Sequence, residues 1–416
     1  MSFTKEMVDE GVMKVPEWWL CPPGLEEFRK KAHQVGRDVL LIHSMTVDEQ
    51  KMFPKESLKA MAEAGFGALP LPKEYGGLGA GYKGFAVAAE TFAQYCASAT
   101  MVWVMHTVAV QAMFTIGTEE QRNRFIPGVL KGDIGALAFS EPATGSHFWN
   151  VVSEAPKLDG GYLLDAHKSW VTSGGEADWY IVCTNYPDPT PDKGDTLMFV
   201  IVPKDAEGIE SFPFSAMGLR GNSSGPMKFN HIFIPTENRL GTEGGMNQYN
   251  DQIIDPLFLL GTSGCWIGVA QGALNEAIEG AKMKVHKDTG KSVSGYQVIR
   301  HEIAKAQIII DSARSMLFRV AEAMDKAISE GKTLDECLYT LWQLKTYAAD
   351  IVIQVTNMAL QISGGRGYLT GRIEKFVRDG RAGALMGPTN EILREWIGKS
   401  LIGVPWFETW DYRQAK

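Results

Sequence analysis

Apolar residues recur at three- and four-residue spacing in "LEEFRKKAHQVGRDVLLIHSM" and "GFAVAAETFAQYCASATMVWVMHTVAVQAMF". This predicts helices over residues 24–132. Between them, "FGALPLPKEYGGLGAGY" is rich in Gly and Pro and predicts a long loop. "GTEEQRNRFIPGVL" predicts a short helix with Thr118 as its N-cap. Near residue 134 the period changes. "GALAFSEP", "VSEAPKLDGGYLLDAHKSWVTSG", "WYIVCTNY", "DTLMFVIVP" and "MKFNHIFIP" are short β-branched and aromatic runs cut by Gly, Pro and Asp. They predict a small all-β module, with "NYPDPTPDKGD" as a surface loop between two strands. Helical spacing returns from about 246 in long stretches that fit a bundle, and no internal repeat of fixed period is evident. The expected fold is mostly α with a central β module: a helical domain over 1–133, a β domain over 134–245 and a helical bundle over 246–416.

At 416 residues the chain needs more than one core. Hydrophobic content of 45% and charged content of 22% are ordinary for a globular protein. A net charge of -8 argues against nucleic acid or an anionic membrane surface as the main partner, while leaving room for a small anionic ligand at local basic residues. The first residues lack a basic segment, an apolar segment and a cleavage site, so no secretory leader is expected. No membrane span is expected either, on the ground that no apolar run reaches about 18 uncharged residues. Five scattered cysteines without a CxxC pair predict buried thiols in a reducing cytoplasm rather than a disulfide or metal framework.

Three strings carry a resemblance. "AFSEPATGS", "HKSWVTSGGEADWYIV" and "LQISGGRGYLTGRIEKFVRDGRAG" resemble, in order and spacing, motifs of the acyl-CoA dehydrogenase family. The resemblance implies a helical–β–four-helix-bundle fold, FAD as cofactor, an acyl-CoA thioester as substrate, an electron-transferring flavoprotein as electron acceptor, and a homotetramer built as a dimer of dimers. Dehydrogenation needs a base for a proton, a hydride acceptor and donors on the thioester carbonyl. FAD is the hydride acceptor. By resemblance, Phe139, Ser140, Trp170 and Thr172 line the flavin ring, and Ser146 approaches the CoA arm or the flavin edge. Gln361, Gly364, Gly365 and Gly367 approach the diphosphate side from a neighbouring subunit, with Thr389 and Glu391 towards the adenine. Each has a plainer reading: the glycines as a helix end, Trp170 as core, the serines as turn formers.

The departures matter more. Where the family has its catalytic Glu, this chain has Gly387 followed by Pro388. Where some members carry the base instead, it has Phe258. His286 stands at the position of an Arg that binds the FAD pyrophosphate, with Thr289 at a Phe position, while Gly290 and Gln297 are kept; Lys287 or Lys291 is the candidate replacement charge. Gly387 keeps its N–H and so can still serve the thioester carbonyl. Asp255, one helical turn before Phe258, is the candidate base, against the reading of Asp255-Pro256 as an N-cap with Pro at N1. His106 is either a satisfied core histidine or a residue of the acyl pocket, and Tyr249 and Asp251 are further candidates for the base that read as solvated loop residues. Phe148, Trp149 and Asn150 hint at a reshaped pocket that would include Ser146, His106 and Phe258. The leading expectation is dehydrogenation of a cyclic or unsaturated acyl-CoA at other than the α,β bond. A reductase, an elimination enzyme, a monooxygenase or a non-catalytic subunit are the alternatives.

Overall fold

The computed structural model describes residues 8–9, 12–13, 15–145, 147, 150–187 and 196–405. Ser146, Phe148 and Trp149, and most of the "PDPTPDKGD" loop, lie outside the described residues.

Helices α1 (Glu26–Val35), α2 (Leu41–Glu49), α3 (Lys55–Glu63), α4 (Gly81–Ala93), α5 (Ala97–Ile116) and α6 (Glu119–Val129) form the first layer. Thr118 caps α6 as its sequence predicts: its hydroxyl accepts from the Gln121 N–H, and the Gln121 side chain accepts from the Thr118 N–H.

The β module follows as β1 (Gly135–Ala138), β2 (Lys157–Leu158), β3 (Gly161–Val171), β4 (Trp179–Asn185), β5 (Leu197–Pro203), β6 (Ile209–Ser211), β7 (Gly225–Pro235) and β8 (Arg239–Leu240). One sheet runs in the order β8-β5-β4-β1, with β1 parallel to β4, and the other in the order β2-β3-β7-β6. The first sheet is buried on both faces. Trp179, Ile181, Cys183, Phe199 and Ile201 join the helical core, while Tyr180, Val182, Val200 and Val202 pack against the second sheet. Successive side chains point to opposite faces, so β4 is buried along almost its whole length and reads as a continuous apolar run.

Helices α7 (Asp255–Met283), α8 (Gln297–Ser329), α9 (Leu338–Ser363), α10 (Arg372–Leu385) and α11 (Asn390–Ile402) complete the chain. The expectation about apolar runs is corrected. α5 spans 20 residues without one Asp, Glu, Lys or Arg, and Met246–Met283 is also long and apolar enough to cross a membrane. Their windows are 78% and 89% buried inside the protein, so both are core helices, apolar all round because protein surrounds them. Close packing between them and their neighbours depends on small residues: a Cβ on Gly268 of α7 would lie 2.2 Å from the Glu90 carbonyl oxygen of α4.

Helix α10 ties the three regions together. Arg378 donates to both carboxylate oxygens of Asp48 on α2, at 3.0 and 2.6 Å, and to the Met217 carbonyl at 3.0 Å, and it also pairs with Glu374. Asp379, fully buried, accepts from the Leu219 N–H at 2.7 Å and from the Lys375 ammonium at 2.5 Å. Removing one member of such a pair leaves a buried charge unmatched. Asp379→Ala is therefore expected to lower the unfolding free energy by about 3–5 kcal/mol in chemical denaturation, whereas a loss below about 1 kcal/mol would mark the pair as no stronger than a surface contact.

Candidate active site

The turn after β1 is stitched to β3 from below. Lys168, fully buried, donates to the Phe139 carbonyl at 3.1 Å and to Glu141 at 2.7 Å, and the Ser169 N–H donates to the Ser140 carbonyl at 2.8 Å. Burial works to raise the Glu141 carboxyl pKa. The Lys168 ammonium, the Ser153 hydroxyl and the Val152 N–H outweigh it, so the group lies below the usual carboxylate range. Phe139 stacks on Phe199 with ring centres 5.2 Å apart.

Two residues further along β3, Trp170 falls between Lys168 and Val171, where the strand slips register against β7. Such irregularities re-aim side chains. The Trp170 indole is 62% exposed and rests on Phe214 at 4.4 Å, so it is not the core residue of the plainer reading. Thr172 is buried and its hydroxyl meets that of Ser224 at 3.1 Å. A cavity of about 300 Å³ opens beside them, lined by Lys51, Phe214, Arg220, Asn222 and Ser224 among others. The loop bearing Phe214 and Ser224 is the one that Arg378 and Asp379 hold. Neither residue was singled out from sequence, because their importance comes from contacts with β3.

The second group of expected cofactor residues lies elsewhere. α8 and α9 are joined by a short link and pack together, so the start of α8 and the end of α9 share one end of the bundle. There the His286 ring sits 5.5 Å from that of Tyr296, the Thr289 hydroxyl meets the Tyr296 hydroxyl at 3.2 Å, and Gln297 is the exposed first residue of α8. Gln361 is exposed on the last turn of α9. Gly364 ends that helix with φ 61°, and a Cβ on Gly364 or Gly365 would meet nothing within 4 Å. Gly367 differs: a Cβ there would lie 2.7 Å from the Ser363 side chain, so it serves the turn itself. Tyr368 and Leu369 beside it are largely exposed.

Gly387 and Thr389 lie towards the other end of α9. Lys345, fully buried, donates to the carbonyls of Met386 at 3.0 Å and Pro388 at 2.8 Å and to the Asn390 side-chain oxygen at 3.1 Å. From Lys345 to Ser363 the helix runs on the order of 27 Å at about 1.5 Å per residue. One chain therefore does not bring Thr389 and Gln361 together. Thr389 precedes α11, and Glu391 stands in its first turn, 3.9 Å from Arg394. Lys345 was missed because a single Lys within "LYTLWQLKTYAADIVIQV" reads as a solvated position on an apolar helix; its isolation among apolar neighbours was the available signal.

Asp255 is not an N-cap. The helical path starts at Met246 and passes through a π turn at Asn250–Ile254 into α7, so Asp255 has helical dihedrals and follows a helical Ile254. The N–H that Pro256 lacks would have pointed at the wide π turn, which lowers the cost of proline there. Tyr249 and Asp251 belong to the same helical path rather than to a solvated loop. Asp255 is 7% exposed, with no hydrogen bond or ion pair among the described residues. Burial, and secondarily the nearby Asp251 carboxylate, raise its pKa to about 8. Phe258 is half-buried on the next turn.

α10 runs antiparallel to α7: a Cβ on Gly272 would touch Phe376, and one on Gly383 would touch Trp266. Carrying that register to the end of α10 puts Leu385 opposite about residue 264 of α7, with Gly387 just past the helix end. Asp255 precedes Trp266 by eleven residues, which returns it to within about 20° of the same helical direction. It thus shares the α10-facing side, about two and a half turns beyond the end of α10 that leads into Gly387. His106 is corrected. Its Nε2 donates to the Gly67 carbonyl at 2.9 Å and its Nδ1 accepts from the Gly135 N–H at 3.1 Å, so both nitrogens are consumed by backbone. Burial lowers its pKa to about 4, consistent with a neutral ring that joins α5 to β1 instead of facing a substrate.

Profiles of the acyl-CoA dehydrogenase N-terminal, middle and C-terminal domains match residues 22–133, 136–232 and 260–402. The chain belongs to the acyl-CoA dehydrogenase family. It is 28% identical over 385 residues to the mitochondrial isovaleryl-CoA dehydrogenase of Oryza sativa subsp. japonica, covering 90% of each chain. Butyryl-CoA dehydrogenase from Megasphaera elsdenii superposes with a TM-score of 0.82 at 25% identity, covering 94% of this chain and 100% of that one. The prolyl acyl carrier protein oxidase AnaB does so with a TM-score of 0.79 at 25% identity, covering 90% and 98%.

As an acyl-CoA dehydrogenase family member, the protein is an FAD-dependent oxidoreductase. Its residues fit that cofactor: an exposed indole backed by Phe214, two hydroxyls paired, among the described residues, only with each other, and a glycine turn with open space at Gly364 and Gly365. His286 itself brings an imidazole rather than a guanidinium to that end of the bundle. Trp170→Ala is expected to lower the FAD content of the purified protein or shift the bound flavin spectrum. Full retention of both would remove Trp170 from the ring site.

Proposed function

We propose that this dehydrogenase oxidises an acyl thioester whose acidic proton lies away from the usual α position, with Asp255 as the base. A cyclic or already unsaturated acyl-CoA fits that demand. The observation that carries the proposal is the pairing of an empty Gly387 with a buried, unpartnered carboxylate more than two turns further along the facing helix. An aliphatic carboxylate so placed is far from a carbon next to a carbonyl held at Gly387 and near carbons deeper in the acyl group.

FAD, when bound, supplies the hydride acceptor. The Gly387 N–H donates to the thioester carbonyl and stabilises the charge that develops there. The Asp255 carboxylate takes the proton, and its own burial, with buried Leu259 one turn along the same face, keeps water away. Trp170 and Thr172 orient the flavin ring. The Gln361–Gly365 turn and His286 of a second copy complete the diphosphate side, since one chain separates them from Thr389; this supports a dimer of dimers as the working assembly. An electron-transferring flavoprotein is the proposed acceptor.

An anaerobic titration over linear, branched, cyclic and unsaturated CoA thioesters tests the proposal through bleaching of the flavin. Carrier-bound thioesters belong in the same panel, given the fold shared with a carrier protein oxidase. A cyclic or unsaturated thioester is expected to bleach the flavin, and Asp255→Asn to slow that step on the order of a thousandfold with FAD retained. An undiminished rate in Asp255→Asn would remove Asp255 from the reaction.

The pH dependence has a definite sign. A base must be ionised, so flavin reduction should rise with pH and level off above about 8. The same raised pKa favours the neutral carboxyl in the folded state, so its contribution to stability is complete below the unfolded value of 3.8 and is lost as pH climbs to about 8. A reduction rate that is flat from pH 6 to 9 would contradict the assignment.

A further inference from the structure

Among the described residues Lys345 has no carboxylate within salt-bridge distance, although it is fully buried on α9. Its three contacts are the carbonyls of Met386 and Pro388 and the side-chain oxygen of Asn390. Asn390 is fixed in turn, donating to the Thr346 carbonyl at 3.2 Å and to Asp350 at 2.9 Å. Burial pulls the Lys345 pKa down to about 7, with Glu391 and Asp350 opposing and Arg394 assisting from farther away. A lysine held at that cost is doing more than filling space.

The two carbonyls it holds flank Gly387. The Met386 carbonyl belongs to the same peptide group as the Gly387 N–H, and that group is planar and trans. Its C=O and N–H therefore point in opposite directions. Pinning the Met386 oxygen to the buried Lys345 Nζ turns the Gly387 N–H outward, away from α9, on a residue that is exposed and has no atom within 4 Å of a would-be Cβ. No hydrogen bond to that N–H is present among the described residues. The donor held on the carbonyl end also polarises the peptide and strengthens its N–H as a donor.

We propose that Lys345 is the positioning residue that aims the Gly387 N–H at the thioester carbonyl and strengthens it. The inference rests on the role given to Gly387 above. Lys345 itself touches no substrate and acts through the peptide group it holds.

The test uses the FAD-loaded enzyme with butyryl-CoA carrying a ¹³C-labelled carbonyl, read by infrared difference spectroscopy. In the unaltered enzyme the carbonyl band should move to lower wavenumber on binding. Lys345→Met should abolish most of that movement at saturating butyryl-CoA, and Lys345→Gln, which keeps one amide donor, should restore part of it. If Lys345→Met does not retain FAD, Lys345→Gln alone carries the comparison and should show a reduced movement. A variant that retains FAD and shows the full movement would reduce Lys345 to a structural tie. Absence of any movement in the unaltered enzyme would also overturn the proposal, but by removing Gly387 as the donor; the two failures are therefore distinguishable.

Discussion

The Arg378–Asp379 pair is the constraint on which the site depends. Arg378 reaches Asp48 on α2 and the Met217 carbonyl, while Asp379 receives the Leu219 N–H. Gly218 lies so close that a Cβ would be 2.3 Å from the Arg378 carbonyl oxygen. The loop held in this way presents Phe214 to Trp170 and Ser224 to Thr172. One turn of α10 thus couples the first helices, the β module and the bundle, and the same helix runs directly into Gly387. The proposed flavin-ring residues and the proposed thioester-carbonyl donor are thus positioned from a single element, which is how groups from three regions of the chain can be held in register.

Within that frame, Gly387 offers a backbone N–H but no carboxylate, and the proposed mechanism divides two tasks that a single Glu residue can serve. The backbone N–H remains available for the carbonyl, and the proton must go to another group. Asp255 suits that task physically because its environment raises its pKa towards the working range, whereas His106 does not, having both nitrogens engaged by backbone. The antiparallel register of α7 and α10 supports the proposed division, since it sets Asp255 more than two turns beyond the end of α10 that leads into Gly387.

Much of the fold was legible in the residues. Period-3.6 and period-2 patterning marked the helices and the β module, and the Thr118–Gln121 capping box was readable locally because its partners are three residues apart. What was not legible was set by distant partners. Asp48 and Arg378 are 330 residues apart, and Leu219 and Asp379 are 160 apart. Asp255-Pro256 carried the local signature of a helix start, but tertiary packing extended the helix back through a π turn to Met246. The apolar length of α5 was overlooked, and its burial against protein on all sides explains why such a run occurs in a core. Lys345 could not be interpreted from sequence, since only the folded loop shows which oxygens it holds.

The central claim is that proton removal here does not occur at the position of Gly387. Anaerobic mixing of the enzyme with butyryl-CoA, a linear saturated thioester, tests it most directly, with flavin absorbance followed in the unaltered protein and in Gly387→Glu. The open space around Gly387 admits the larger side chain. The account predicts that the flavin of the unaltered enzyme stays oxidised, because no base reaches the α-proton, and that Gly387→Glu gains reduction. Rapid bleaching of the unaltered enzyme by butyryl-CoA would contradict it.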